Sequence, residues 1–352
     1  MLPVALTLTT ALAAESSLLL NIKQFQNLAV ENSRQSTIDE LDIKAKETAL
    51  DDVKEDANFS IGIGTTDDMY NNGITREVNT MIAESDLEYA KRVKEMNLDN
   101  IELDIYKASL KVLILEKQLD VESRKLYILN QKYDMSKARY NEGKITENDL
   151  DDVKHTLDSK SIDQEKINKD LEAANLELKR ILNVEMNSTP VKVKDQLTFE
   201  KADKIDIKQV IVKALEKSSD IYKKEQDLKA KEKTMEIASK YYEEGEYRFR
   251  DSKTALEAAK LDLDDAKTNI EVQNQNKYND ILTAMDKVDL ALKWEQICQK
   301  KQDDAKLKYD KGLISREDLF NAEEKLLDAQ YGKFTAIHDY NAIKAEFDSL
   351  YK

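Results

Sequence analysis

Asp149 and Asp318 invite a chemical reading, because each stands three residues after a hydroxyl side chain, Thr146 or Ser315, and six after a glycine, Gly143 or Gly312. At that spacing the hydroxyl accepts the backbone N–H of the acid and the acid accepts the backbone N–H of the hydroxyl residue, the capping box that starts a helix. The negative charge also suits the positive end of the helix dipole. Other reactive side chains lack such company. His155 and His338 have no second His or Cys nearby and do not correspond under the repeat described below, so they read as helix-surface residues and not metal ligands. Cys298 is the only cysteine, which rules out an internal disulfide and suits a small buried hydrophobe. No Gly-rich phosphate loop, Cys/His metal spacing or Ser-His-Asp set is present. The sequence implies no enzyme, no metal and no cofactor, and its many carboxylates read as solvated helix faces.

The elements around the two acids repeat. Tyr140-Asn141-Glu142-Gly143-Lys144-Ile145-Thr146 returns 169 residues later as Tyr309-Asp310-Lys311-Gly312-Leu313-Ile314-Ser315. Helical periodicity runs up to each Tyr, meets a Gly that can adopt positive φ, and restarts after the Thr or Ser. Each copy therefore reads as the tip of an antiparallel helical hairpin. Leu150, Val153, Leu157, Ile167, Leu171, Leu178 and Ile181 follow the first tip at coiled-coil spacing, and Leu319, Ala322, Leu326, Ala336, Tyr340, Phe347 and Leu350 follow the second in the same register. Even the polar break Gln164 recurs as Lys333. Ahead of the first tip, Ile105, Val112, Leu115 and Leu126 form a comparable seam; ahead of the second, Asn274, Lys277, Glu295 and Gln302 interrupt it, which predicts a more hydrated seam or one nearer a lumen.

A second match, Ile22-Lys23-Gln24 with Ile207-Lys208-Gln209, has an offset of 185, so the first half carries 16 extra residues, placed at 58–75. The expected organisation is a segment 1–15, a first helical repeat 16–184, a linker 185–205 and a second helical repeat 206–352. The helices are expected near 22–57, 78–141, 146–184, 206–241, 251–310 and 315–351. Within the linker, Pro190, Val191-Lys192-Val193 and Leu197-Thr198-Phe199 fit either short strands or loop.

The chain has 352 residues, of which 36% are charged, with only 7 Gly and 2 Pro, a composition of long helices that must pack laterally or oligomerise to bury their stripes. A net charge of -15 argues against nucleic acid and against adhesion to anionic lipid. Residues 1–15 are apolar and end in an Ala-x-Ala pattern, which fits the later part of an export signal, although no Lys or Arg precedes the run. Read as an ordinary helix start, the same residues leave a cytoplasmic organiser open.

Tandem repeats of a leading helix, a short crossing and a hairpin tipped by Tyr-x-x-Gly-x-[Ile/Leu]-[Ser/Thr]-x-x-Asp-Leu resemble the TolC-like outer-membrane efflux family over residues 21–352. The resemblance implies an all-α fold of long antiparallel coiled-coil hairpins forming a helical barrel. It also implies a passive homotrimeric conduit of tripartite efflux or type I secretion. Partners would be a periplasmic adaptor of the membrane-fusion type and an inner-membrane transporter, and the location the cell envelope, in or near the outer membrane or wall. Its docking tips map onto Tyr140, Gly143, Lys144, Ile145 and Thr146 with Tyr309, Gly312, Leu313, Ile314 and Ser315. Exposed apolar Ile145, Leu313 and Ile314 exceed what a turn needs and fit a partner surface. Asp318 matches a position where the family narrows its tunnel with an acidic ring, and the family's second acid is Asn321 here. Three copies of Asp318 facing one lumen would raise an apparent pKa and attract cations.

The chain departs from the family at the barrel. A membrane-crossing strand takes about 9 to 11 residues, whereas the alternating runs in the right places are Phe59–Ile63 and Glu246–Phe249. Little or no β-barrel is expected, with membrane contact at most peripheral or through a reduced rim. A different class of function, an exported coiled-coil spacer of the envelope without conduction, fits the same residues.

Overall fold

Side-chain caps start seven of the helices, whereas the two longest begin without one. The computed structural model describes residues 18–60, 63–186, 191–202 and 205–351, so segment 1–15 and Pro190 lie outside the described residues. The helices are α1 (Ile22–Glu31), α2 (Arg34–Phe59), α3 (Thr66–Gly73), α4 (Thr80–Asn141), α5 (Glu147–Ile181), α6 (Ile207–Lys217), α7 (Ser219–Tyr241), α8 (Tyr247–Asp310) and α9 (Arg316–Asp348). Side chains of Asn21, Ser33, Thr65, Thr146, Asp206, Ser218 and Ser315 accept backbone N–H groups at the starts of α1, α2, α3, α5, α6, α7 and α9. With 62 and 64 residues, α4 and α8 run about 93 and 96 Å at the usual helical rise.

Two expected helices are each split in two. Segment 22–57 breaks at Asn32 and Ser33, and segment 206–241 breaks at Ser218, because Ser33 and Ser218 take extended backbone and cap a new helix. The split lets α1 pack on α4 and α6 on α8 while α2 and α7 continue along the rods. Phe25 and Ala29 of α1 are buried, as are Val210 and Ala214 of α6, at the same offset of 185.

The alternating runs are likewise helix ends and not strands: Phe59 closes α2, Tyr247–Phe249 opens α8, and residues 61 and 62 lie outside the described residues. The extra segment 58–75 contains α3, which passes through a π-helical turn (Ile74–Asn79) into α4. Such a turn absorbs a register change without ending the rod. Tyr70 and Val78 pack there with Ala230, Ile237 and Ala238 of α7. Gly73 suits this close contact, since a Cβ on it would lie 3.1 Å from Ile237 Cγ2 and push that side chain aside by a few tenths of an ångström.

The packing order is a single layer of rods. Toward the tips it runs α5, α4, α9, α8; at the other end α2, α4, α7, α8. The long helices α4 and α8 are continuous, and their partners meet end to end. Asn32 donates its side-chain amide to Leu182 O at 3.2 Å and Asn183 returns one to Asn32 O at 3.1 Å, joining α5 to the α1–α2 break. Lys217 Nζ donates to Ser349 O at 3.1 Å and makes the matching join between α9 and the α6–α7 break. Exposed C-terminal carbonyls are satisfied in both places.

The largest core gathers at this waist. Ile105, Leu110, Val112, Leu178, Leu182, Ile281, Val288, Tyr340 and Phe347 are buried there, and the linker closes over them. Its strand β2 (Val191–Val193) pairs in parallel with β1 (Leu18–Leu20), Leu19 opposite Lys192. Leu197–Phe199 is not a strand; Phe199 instead packs edge-on against Tyr340 at 4.9 Å, and Asn341 donates to Thr198 O.

Several interrupted seam positions are paired. Lys333 and Glu295 meet at 2.6 Å, about four-fifths buried, and Lys277 reaches Glu346 at 3.0 Å. Gln164 donates to Ser123 Oγ across the first hairpin at 2.7 Å. Asn274 is buried.

Candidate functional site: the paired hairpin tips

Both tips end their first helix in the same way. Gly143 N–H donates to Tyr140 O and Lys144 N–H to Arg139 O; Gly312 N–H donates to Tyr309 O and Leu313 N–H to Lys308 O. This crossed pair of bonds is the Schellman closure, which places the glycine in the left-handed region. Gly143 and Gly312 have φ of 67 and 70°, and nothing lies within 4 Å of where a Cβ would stand on either. Backbone chirality alone therefore selects glycine at both tips.

Helix α5 opens on a full capping box: Asp149 N–H donates to Thr146 Oγ1 at 3.2 Å and Thr146 N–H to Asp149 Oδ2 at 2.8 Å. Ser315 and Asp318 repeat it at 3.1 and 3.0 Å. Hydrogen bonds from the backbone and hydroxyl of Thr146 hold the Asp149 carboxyl below the usual aspartate value, and those from the hydroxyl and backbone of Ser315 do the same for Asp318. In one chain Asp318 is thus a committed cap. Asn321 is also engaged, accepting from Lys132 Nζ at 3.0 Å.

The apolar tip residues divide. Leu313 is 69% exposed, as an isolated partner surface requires, but Ile145 and Ile314 are only half-buried rather than fully exposed. They precede the caps, and Leu150 and Leu319 stand at the fourth helical positions, the two ends of a hydrophobic staple. Those positions suit a staple as well as a docking surface. Lys144, the counterpart of Leu313, makes an ion pair with Glu142 at 2.6 Å, which also holds the Glu142 carboxyl low. Tyr140 and Tyr309 keep 38% and 37% of their surface.

Spacing did not reveal how the tips are joined. Along the seam between α4 and α9, Arg124 meets Glu323 and Lys125 meets Asp328, each at 2.6 Å, while Lys132 meets Glu324 at 2.8 Å and Arg139 meets Glu317 at 3.3 Å. Every cation comes from α4 and every acid from α9. Burial works against the charge on Lys125, but hydrogen bonds to Asp328 and Glu122 outweigh it and raise its pKa. A groove of about 170 Å³ lies between the tips, walled by Leu129, Met135, Arg139, Val153 and Glu317 among others. A one-sided excess of Lys and Arg on late α4 was the available signal; its partners, nearly 200 residues away, were not. Of the remaining reactive residues, Cys298 is buried, His155 is exposed on α5, and His338 Nδ1 lies 2.9 Å from Asp339 Oδ1 on α9.

No family profile and no curated protein matches the chain by sequence. Solved structures do match its fold. The CmeC outer membrane channel of Campylobacter jejuni superposes with a TM-score of 0.67 at 12% identity, over 94% of this chain and 85% of that one. The outer membrane protein VceC of Vibrio cholerae gives 0.67 at 13%, over 94% and 95%. The outer-membrane channel OprN gives 0.70 at 15%, over 94% and 89%. The chain is therefore similar in fold, across nearly its whole length, to outer-membrane channels of the TolC-like kind.

Proposed function

We propose that the chain is a conduit component of the cell envelope, a passive homotrimeric helical tube that docks an adaptor of the membrane-fusion type at its tips and serves an inner-membrane transporter in efflux or type I secretion. The observation that carries this reading is the pair of unpartnered edges of the rod layer. At one edge α5 exposes Ile162 and Leu176, two heptads apart; at the other α8 exposes Leu290, Trp294 and Ile297. Two different edges that each present apolar residues fit head-to-tail contacts, α5 of one copy against α8 of the next, and such contacts close into a ring when the rotation permits. The fold shared with outer-membrane channels supports that geometry and an envelope location.

Trp294 is the only tryptophan and is 48% exposed, so assembly can be read directly. On concentration, mass photometry should show trimers and Trp294 emission should shift to the blue, and particle images should show a hollow cross-section. A species that stays monomeric, or a filled cross-section, overturns the conduit and leaves the spacer. At the tips, Leu313→Glu should abolish binding of a purified adaptor hairpin while helicity is unchanged; unaltered binding refutes the docking assignment. Helix ends occupy the places where family barrel strands belong, which supports membrane contact at a rim.

A further inference from the structure

The waist carries a feature that neither the rods nor the tips explain. Where α7 and α9 meet end to end between the long helices, the layer opens into a crevice of about 860 Å³. Its walls come from α1, α4, α6, α7 and α8 and from Ser349 and Leu350 just past α9, all of one chain, so no partner is needed to complete it. In the wall stands Asn274, 2% exposed. Its amide NH2 donates to Ile270 O at 2.8 Å, which fixes the side chain, and its Oδ1 is buried without a donor. An unpaired buried carbonyl costs free energy unless something donates to it.

Charge at the crevice is unbalanced. Arg92 is held but not fully satisfied: its guanidinium lies 4.3 Å over the Tyr222 ring and one terminal nitrogen donates to Glu216 O at 3.3 Å, while its buried Nε stands 3.7 Å from Glu88 and has no hydrogen-bond partner. Lys217 pairs with Asp99 at 2.7 Å, and Glu102 with Lys23 at 3.2 Å. Glu95 and Asp220 line the crevice, and no cationic side chain pairs with either among the described residues. A shallower groove that shares Asp220 adds Asp262 and Asp265 beside Lys224. Val30, Met96, Leu98, Ile270 and Leu350 supply apolar wall.

The repeat does not demand this chemistry. At the offset of 169 the residue matching Asn274 is Ile105, fully buried and apolar, so the fold accepts a hydrocarbon at that level. A buried acceptor lacking a donor, an excess of carboxylates at the mouth and aliphatic walls between them complement one class of molecule. We infer that this crevice binds a linear alkyl amine carrying more than one ammonium group, one N–H reaching Asn274 Oδ1 and another ammonium lying between Glu95 and Asp220. The inference is independent of the conduit reading, because the site lies within a single chain and away from the tips.

Spermidine titrated calorimetrically into the full chain at 150 mM salt is the test. One saturable site per chain is expected, and 1,8-octanediol should not bind. Glu95→Gln with Asp220→Asn, both exposed and safe for folding, should weaken binding at least tenfold. Asn274→Leu should weaken it as well while leaving the thermal midpoint unchanged or higher, since it removes an unpaired buried acceptor. The control is Asp151→Asn with Asp152→Asn on α5, which removes the same charge far from the crevice and should leave the site intact. Equal weakening by the control pair means that spermidine only screens an acidic surface, and unchanged binding in Asn274→Leu means that the carbonyl meets water only; either result overturns the inference.

Discussion

Replacing Gly312 by Ala isolates backbone chirality as the cause of the tip. Gly312 has φ of 70° and open space where a Cβ would stand, so the substitution adds no clash. Its whole cost is the left-handed conformation, about 1 to 2 kcal/mol for an L-residue. Gly332, in the interior of α9, also has nothing within 4 Å of its Cβ position. There the same substitution should stabilise by about 0.5 to 1 kcal/mol, because Ala loses less freedom than Gly in a helix. One chemical change therefore has opposite signs at two uncrowded sites on neighbouring elements. Hydrogen exchange resolves it. The N–H groups of Gly312 and Leu313, which donate to Tyr309 O and Lys308 O, should exchange about 5- to 30-fold faster in Gly312→Ala, since each 1.4 kcal/mol is a factor of ten. Gly312→Asn should recover part of the loss, because Asn tolerates positive φ better than other side chains. In Gly332→Ala the amides around residue 332 should exchange more slowly. Equal exchange at the tip in wild type and Gly312→Ala, or a shift of the same sign at both sites, would refute the chirality argument.

Leu178 is fully buried at the waist where α5 meets α4, so Leu178→Ala should cost about 3 to 5 kcal/mol by chemical denaturation, the range for a cavity left in a well-packed core. Lys333→Met should destabilise by stranding Glu295, while Lys333→Met with Glu295→Leu should regain most of the loss, because removing both members of a largely buried pair spares the desolvation of both; a double variant no better than the single would show the pair to be net stabilising. For the tip caps the sign follows from carboxyl groups held below 3.8: their contribution is complete above the unfolded value and fades as pH falls through it toward the depressed folded value. Tip amides should thus lose protection below about pH 4, and Asp149→Asn with Asp318→Asn should flatten that dependence.

The rods and their tips were legible because their causes are local. A Gly with nothing around it and a Ser or Thr three residues before an Asp act over a handful of residues, and both copies state the same instruction. Ser33 and Ser218 correspond at the offset of 185, but the match alone does not mark a break, since a cap is recognised by extended backbone that only the packing of α1 and α6 on the long helices imposes. The pairing of polar seam residues is hidden for a related reason: Glu295 and Lys333 read singly are interruptions, and only the hairpin brings them together. Local sequence shows only the cationic half of the ladder from Arg124, Lys125, Lys132 and Arg139 to α9, because the ladder joins two repeats. Ile145 and Ile314 stand at positions that suit a staple to Leu150 and Leu319 across the cap as well as a partner surface, and sequence spacing does not separate the two roles.

Divergence between the two copies shows what each arm faces. α9 packs between α4 and α8, whereas α5 has α4 on one side only among the rods. Accordingly α9 buries Phe320 and Ile337 off its expected seam, and at the offset of 169 α5 carries exposed Asp151 and Asn168. The two helices share one ancestral stripe and differ where one of them has a second neighbour. Exchanging the residues tests this directly. Phe320→Asp should destabilise by about 3 to 5 kcal/mol, since it removes a buried ring and strands a carboxylate against α4. Asp151→Phe should stay within about 0.5 kcal/mol, as surface substitutions do. If Phe320→Asp were as mild as its counterpart, α9 would not be the inner rod of the layer. The edge assigned to α5, and with it the contact surface offered to a second copy, would have to be drawn elsewhere.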